Sequence, residues 1–575
     1  MKPLVQRFIR RRPTLCPNDF APHLHPVLRR VYAARGLTCS AELELGLDRL
    51  LPVRTLDGLE RATELLMRHR ALGSGAMVIG DFDADGATSS ALVVRSLRQL
   101  GFERVDYLVP NRFRFGYGLT PEIVALAAER QPGLIITVDN GISSHAGVAA
   151  ASARGIDVLI TDHHLPGADI PPAAAIVNPN LAGSTFGSRA LAGVGVSFYL
   201  MAALQRRLAE AGIDTGPSVA HLLDLVALGT IADLVPLDYN NRVLVSQGMK
   251  RIRAGRCVPG IKALLEQGGR TIDTLVAQDL GFAVAPRLNA AGRIDDMSIG
   301  IECLITDDVS RARELAAQLD ALNEERRTIE QKMQAEALEV VSTLNLRDDT
   351  DTAGLCLYDP SWHQGVIGLV ASRIKDRCQR PVIALARADN DRLRGSARSV
   401  AGVHIRDVLD AVATRHPGLL EKFGGHAMAA GLTLRESDLD RFQSAFVEEV
   451  RRWLDPAALA VIDSDGELSP EEMTLATAFE LREAGPWGQA FPEPAFDGEF
   501  RVLERRMLSD RHLKLRVRPV ATGESFDAIA FNFAAANHPP PELPEGSARL
   551  AYRLDVNEYL GTRRLQLVIE HLEGA

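Results

Sequence analysis

Between about residues 51 and 300 the chain alternates short apolar runs with stretches whose apolar positions recur at helical spacing. "AMVIG" (76–80) is rich in β-formers, and "ATSSALVVRSLRQLGF" (87–102) carries its apolar residues behind Thr and Ser, so strand, loop and helix are predicted in that order. "LIITVDNGIS" (134–143) and "IDVLITDHHLPG" (156–167) each read as an apolar strand ending in an acid, Asp139 and Asp162. The helix-length "SSHAGVAAASARG" between them closes at Gly155, which predicts a parallel crossover. The carboxyl ends of these strands then share one edge, where doubly wound sheets bind their ligands.

The loops at that edge are acidic. "GDFDADG" (80–86) places Asp81, Asp83 and Asp85 within five positions, ahead of Gly86. A single Asp after a strand is most simply a turn or N-cap residue, and that reading stays open for each one alone. A further acid, Asp233, ends the apolar helical run in "LLDLVALGTIADLVPL" (222–237). Several carboxylates on one edge repel one another unless a cation neutralises them. Oxygen ligands joined by the imidazoles of His163 and His164 suit Mn²⁺ or Mg²⁺ better than a structural zinc. The six cysteines (Cys16, Cys39, Cys257, Cys303, Cys356, Cys378) are scattered without a CxxC pair, which argues against zinc-finger chemistry.

At these residues the sequence resembles the DHH phosphoesterases, whose name-giving triplet stands here as Asp162, His163 and His164. Within that superfamily it is similar to the bacterial exonucleases that degrade single-stranded DNA from the 5′ end. "GDFDADG", "VPNRFRFGYGL", "VDNG", "TDHH", "GTIADLVPL", "APRLNAAGR", "WHQGVIGLVASR", "GSARS", "FGGHAMAAG" and "GPWGQAFPEP" follow in the family's order over nearly the whole chain. Phe82 stands where Tyr is commoner. The resemblance implies a metal-dependent exodeoxyribonuclease acting in recombination and repair, with two divalent cations, Mn²⁺ or Mg²⁺. Asp83, Asp85, Asp139, His163 and Asp233 are the expected ligand set, with Asp85 or Asp139 as the bridge. His164 is expected to contact the scissile phosphate, Asp162 to orient the histidines, and Asp81 to be a weaker participant.

Arg287, Asn289 and Arg293 of "APRLNAAGR" contact the nucleic-acid backbone in the family. Arg112, Ser396 and Arg398 are the expected clamp for a terminal 5′ phosphate, and "HQGVIG" and His426 add to the phosphate-binding side. "NRFRFGYG" interleaves Arg112 and Arg114 with aromatic residues, a mixture suited to stacking bases and pairing phosphates, although Phe113 and Phe115 also suit a core. Single-stranded DNA is the implied substrate. A single-strand-binding protein and a RecQ-type helicase are the partners that the resemblance suggests.

The rest of the pattern predicts the organisation. Residues 1–50 are a lead-in, with "LELGLDRLLPV" as a short helix on the first domain, and 51–300 form the DHH domain. Within 301–350, residues 308–344 place Leu315, Leu319, Leu322, Ile329 and Met333 at helical intervals among charges. As one helix these 37 residues would span roughly 55 Å at about 1.5 Å per residue; a coiled-coil seam is the competing reading. Residues 351–455 return to α/β character and resemble the DHHA1 domain. From 456 to 575 the strands alternate, as in "HLKLRVRP", which predicts a small β-barrel, an OB-fold by family resemblance. The fold class is therefore α/β: two α/β domains joined by a long helix, plus a C-terminal barrel.

Composition changes this picture little. At 575 residues and 46% hydrophobic the chain has material for several cores. The formal charge of −9 is unusual for a protein that holds DNA, but residues 501–518 carry seven Lys or Arg against two Asp or Glu. The basic start lacks the apolar core of a signal peptide and no run approaches 18 apolar residues, so a cytoplasmic protein with no membrane association is expected. Two rival functions remain at this level. One is a DHH phosphodiesterase for short oligonucleotides or cyclic dinucleotides, and the other is a non-catalytic DNA-binding scaffold, which should lack metal ligands.

Overall fold

The structure is a computed structural model that describes residues 8–13, 19–110, 118–343, 353–388, 391–400, 402–453, 461–509, 511–520, 523–533, 546–559 and 561–574. A short strand, β1 (Phe8–Arg11), precedes a five-stranded sheet of β2 (Ala76–Ile79), β3 (Val105–Leu108), β4 (Leu134–Val138), β5 (Asp157–Thr161) and β6 (Ala175–Val177). The order is β3-β2-β4-β5-β6 and every pairing is parallel. β2 and β4 are buried at every position, as a sheet covered on both faces requires. The chain steps from β2 outward to β3 and then returns to the other side of β2 as β4. The switch point of the sheet therefore lies between the ends that carry "GDFDADG" and "VDNG".

The helix after β2, Ala84–Gln99, is buried almost all round, and helices Gly193–Glu210 and Leu223–Ala232 pack on it. Nine successive residues of the last, Leu223 to Ile231, are buried, which is why an apolar run with no exposed polar face folds as a helix here. The connecting segment is a single 35-residue helix, Val309–Thr343. Leu315 and Leu319 enter the core of the first domain, whereas Met333, Ala337 and Val341 enter the core beneath helix Ile367–Cys378. Its apolar stripe is thus consumed within the chain, and the connecting-helix reading holds over the coiled-coil one.

The second domain is a sheet of β7 (Leu355–Tyr358), β8 (Val382–Arg387), β9 (Arg392–Arg398), β10 (Lys422–Gly425) and β11 (Ala429–Arg435), in the order β10-β11-β9-β8-β7. Helices Ile405–Arg415 and Leu439–Trp453 cover one face, over Leu393, Ala397, Leu432 and Leu434. Helix Ile367–Cys378 lies on β8 and β9.

Strand β12 (Val461–Ser464) pairs in parallel with β1. A closed barrel follows: β13 (Phe496–Leu508), β14 (His512–Pro519), β15 (Phe526–Ala530), β16 (Ser547–Tyr559) and β17 (Thr562–Gly574). Leu513, Leu515 and Val517 fill its interior, as their alternation predicts. The lead-in is tied to this end of the molecule as well as to the first domain. Arg35 and Asp465 form a buried ion pair at 2.9 Å, Arg11 reaches Asp497 at 2.9 Å, and Tyr32 stacks on Trp487. "LELGLDRLLPV" forms short 3₁₀ turns, Leu47–Arg49 and Val53–Thr55, rather than an α-helix, with Leu51 N–H donating to Asn240 of the first domain. Among the described residues no helix is long and apolar enough to cross a membrane.

Candidate metal centre

The acidic loop is built by close backbone approach. Asp83 caps helix Ala84–Gln99 by accepting from Gly86 N–H at 3.0 Å, so the N-cap role is real for this residue and turns its neighbours into the site. Any Cβ at Gly86 would sit 2.6 Å from the Asp81 carbonyl oxygen, which is why a glycine stands there. Asp85 points back under the sheet edge and accepts from Gly193 N–H at 2.6 Å and Val194 N–H at 3.0 Å, the first turn of helix Gly193–Glu210. Asp139 sits at the end of β4 in the left-handed region (φ +61), and Asn140 braces the turn by donating to the Ile79 and Val138 carbonyls.

The ends of β4 and β5 and the helix end at Asp233 meet at His163. Its Nε2 lies 3.1 Å from Asp139 Oδ1 and 3.5 Å from Asp233 Oδ2. Three overlapping groups have ligand atoms close enough to share an ion: Asp139, His163 and His164; Asp85, His163 and Asp233; and Asp81, Asp83 and Asp139. Asp139 and His163 each belong to two of them. Burial pushes the Asp85 carboxyl up to about 7, with the Asp83 charge adding to it. Burial and the surrounding acids likewise hold Asp139 and Asp233 well above the ordinary carboxylate range. Burial pulls the His163 imidazole down to about 3, so its ring is neutral and available as a ligand. Crowded buried carboxylates that resist ionisation, beside a neutral imidazole, are a donor set that fits hard divalent cations.

Asp162 belongs to none of these groups and instead braces two of their histidines. Its Oδ1 accepts from the backbone N–H of His163 and His164 at 2.7 and 3.0 Å and from His164 Nδ1 at 2.7 Å, and its Oδ2 accepts from Ile142 N–H at 2.9 Å. Burial opposes a charge on His164, but the hydrogen bond to Asp162 and its charge outweigh it and lift the imidazole to about 9. His164 in turn stacks on His426 of the second domain, with ring centroids 5.6 Å apart. The site is therefore bounded by both α/β domains.

The matches to known proteins follow this architecture. The sequence matches the DHH family, N-terminal domain, over residues 76–230, the DHHA1 domain over 351–452 and the RecJ OB domain over 464–571. It is 56% identical to the single-stranded-DNA-specific exonuclease RecJ of Dickeya dadantii, covering 98% of both chains, and 54% identical to that of Escherichia coli, covering 100% of both. The chain belongs to the RecJ family. Its fold matches the crystal structure of RecJ in complex with Mn²⁺ from Thermus thermophilus with a TM-score of 0.79, at 31% identity, over 96% of this chain and 76% of that one.

The other residues expected to act in this RecJ-family chain divide by position. Asn289 Oδ1 accepts from Ala84 N–H at 2.8 Å and so fixes the acidic loop. Arg293 Nη1 donates to the Gly365 carbonyl at 3.3 Å, across to the second domain. The Arg287 guanidinium pairs with Asp320 of the connecting helix at 2.7 Å, a structural contact. Arg398 Nη1 donates to Ser396 Oγ at 3.0 Å, and both groups crowd Gly368 at the start of helix Ile367–Cys378, where a Cβ would come within 2.8 Å of each. Arg112 lies outside the described residues, as do 111–117 as a whole.

Two supports lie outside the quoted motifs, and a third is the glycine that opens "GTIADLVPL". Asn178 and Asn180 of "NPN" donate to the His164 and His163 carbonyls at 2.9 and 2.6 Å. A Cβ at Gly229 would fall 2.8 Å from Asp85 Oδ1.

Proposed function

We propose that this chain hydrolyses single-stranded DNA from the 5′ end, releasing nucleoside 5′-monophosphates. The observation that carries the reading is the convergence of Asp139, Asp233 and the neutral His163 at one point, next to a phosphate-binding face reached through the His164–His426 stack. Asp83, Asp85, Asp139, His163 and Asp233 would hold two divalent cations, with Asp81 contributing. Asp139 belongs to two of the three ligand groups and would be shared between them. When bound, the ions supply an activated water near neutral pH and charge stabilisation for an in-line displacement.

The chain's own residues do the rest. Water adds to the phosphorus of the second nucleotide and the 3′ oxygen of the first leaves with a proton, so the shortened strand again carries a 5′ phosphate. His164, kept protonated by Asp162, would stabilise the charge developing on that phosphate. Ser396 and Arg398 hold the terminal phosphate by charge-assisted hydrogen bonds, and Arg112, outside the described residues, is the expected third member of the clamp. This clamp gives polarity, since it places the next phosphate on the acid cluster. The half-buried Arg293 bridges to Gly365 of the second domain, and a passage between the two domains that admits one strand would exclude a duplex.

Recombination and repair are the setting that the family implies, with a single-strand-binding protein and a RecQ-type helicase as partners. A cytoplasmic location is supported by the free thiols of the five described cysteines. The deciding experiment compares 5′-labelled single strands, 5′-overhang duplexes and blunt duplexes with Mg²⁺ or Mn²⁺. Single strands and overhangs should release labelled mononucleotide at once, blunt ends should resist, and chelation should stop all release. Equal rates on blunt and overhanging ends would refute the reading.

A further inference from the structure

We propose that the outward half of the β9–β11–β10 face is a second anion site, for phosphate groups lying beyond the 5′-terminal phosphate of the strand. This rests on the reading of Ser396 and Arg398 as the clamp for that terminal phosphate. Strand β9 alternates buried Leu393, Gly395 and Ala397 with Arg392, Arg394, Ser396 and Arg398 on the opposite face. Pairing register extends this face sideways. Arg398 stands opposite Ala429, beside the turn that holds His426; Ser396 stands opposite Gly431, which faces Gly424; and Arg394 stands opposite Thr433, which faces Lys422. Moving away from His164, the order is therefore Arg398, Ser396, and then a row of Arg394, Thr433 and Lys422, each step being about 6.6 Å.

The floor between clamp and row is open. A Cβ on Gly424 would meet nothing, and one on Gly431 would meet only the Gly395 carbonyl oxygen at 4.0 Å. Beyond it lies a groove of about 760 Å³ lined by Gln364, Arg387, Arg392, Arg394, Glu421 and Lys422. Four cations, Arg387, Arg392, Arg394 and Lys422, line it with one carboxylate, Glu421, which pairs with Arg392 at 2.6 Å, and Arg387 pairs with Glu436 at 2.7 Å. The pairing register sets Thr433 between Arg394 and Lys422.

A strand whose 5′ phosphate is clamped, and whose next phosphate lies at the acid cluster, has its body on the far side of that cluster. None of the polymer then lies over Arg394. What reaches the groove comes from the end itself: the phosphate of the released nucleoside 5′-monophosphate, or the outer phosphates of a triphosphorylated end. A product that steps outward along the face vacates the clamp for the next 5′ phosphate while the strand stays engaged.

The test uses the full chain with Mg²⁺. Added deoxyadenosine 5′-monophosphate should lower kcat on a 5′-phosphorylated oligonucleotide, because it binds while a strand is engaged. Its inhibition constant should rise about tenfold in Arg394→Ala and in Lys422→Ala. Thr433→Glu, which places a carboxylate in the row without removing either cation, should do the same. In a second arm, a 5′-triphosphorylated oligonucleotide competes against the monophosphorylated one. A variant effect on the mononucleotide alone assigns the groove to the product, and an effect on the triphosphate alone assigns it to the modified end. Wild-type responses in all three variants and both arms would overturn the site. Loss of the 5′-phosphate preference in wild type itself would instead remove the clamp, and the proposal with it.

Discussion

The two sides of the cleft hold phosphate chemistry in opposite ways. On the first domain, acids are buried at the ends of parallel strands and fixed by backbone N–H groups, so that Asp85 and Asp162 each accept from two or more before any ion arrives. On the second, Arg394, Ser396 and Arg398 stand part-buried on one face of β9, beside Gly431 of β11 and Gly368 of helix Ile367–Cys378. The first arrangement is costly without a cation, because burial and mutual repulsion oppose the charges that the chemistry needs. The second is less costly, because part-exposed cations keep some contact with solvent. Chemistry and end-recognition are thereby separable, and substitutions on the two sides should fail differently.

The sharpest break is at the acids. Asp139→Ala and Asp233→Ala should each lower hydrolysis by roughly 10²–10³-fold or more, with DNA binding largely kept. In metal-free buffer at alkaline pH Asp139→Asn should melt above wild type, because burial and the neighbouring acids oppose ionisation of the carboxyl that the amide replaces; activity assays and thermal melts check both. Next is Asp162→Asn, which leaves the ligand atoms in place but loses the hold on His164. A fall of about 10–100-fold is expected, with the upper limb of the pH–rate profile moving to lower pH as the imidazole loses its charged partner. A third substitution moves to the other side of the cleft. Arg398→Ala should lose about a tenfold preference for a 5′-phosphorylated over a 5′-hydroxyl oligonucleotide, while metal binding, read by calorimetry, stays at the wild-type level.

The smallest effect is in stability against pH. Asp85, Asp139 and Asp233 have folded-state values raised above those of an unfolded chain, so the folded state keeps protons that the unfolded state has lost. Stability from these groups is full at low pH and is lost as pH rises through the folded values. His164, raised to about 9, acts in the same direction, and His163 is neutral in both states above about pH 7. Between about pH 7 and 9 the metal-free protein should therefore lose a few degrees of Tm, and Mg²⁺ should stabilise it more at the upper end, because its ligands must be deprotonated. A melting temperature independent of pH without metal would break the account of the acid cluster.

Much of this was legible in the chain. Apolar runs ending in acids gave the parallel sheet and its active edge, because strands buried on both faces read as continuous apolar stretches and crossovers align their carboxyl ends. The long helix and the alternating barrel strands were legible for the same reason: their periods are fixed by backbone geometry. The ordered motifs located the acids, histidines and arginines. What a linear pattern cannot carry is which groups share an atom's surroundings. Tertiary structure alone decided that both Asp85 oxygens are held by a helix that begins more than a hundred residues later, and that Arg287 is committed to Asp320 whereas Asn289 fixes the acidic loop. It also decided that the lead-in pairs with β12 and that the row of Arg394, Thr433 and Lys422 continues the phosphate-binding face. These contacts join residues far apart in the chain. Their energies depend on burial and register, which exist only once the sheets have closed.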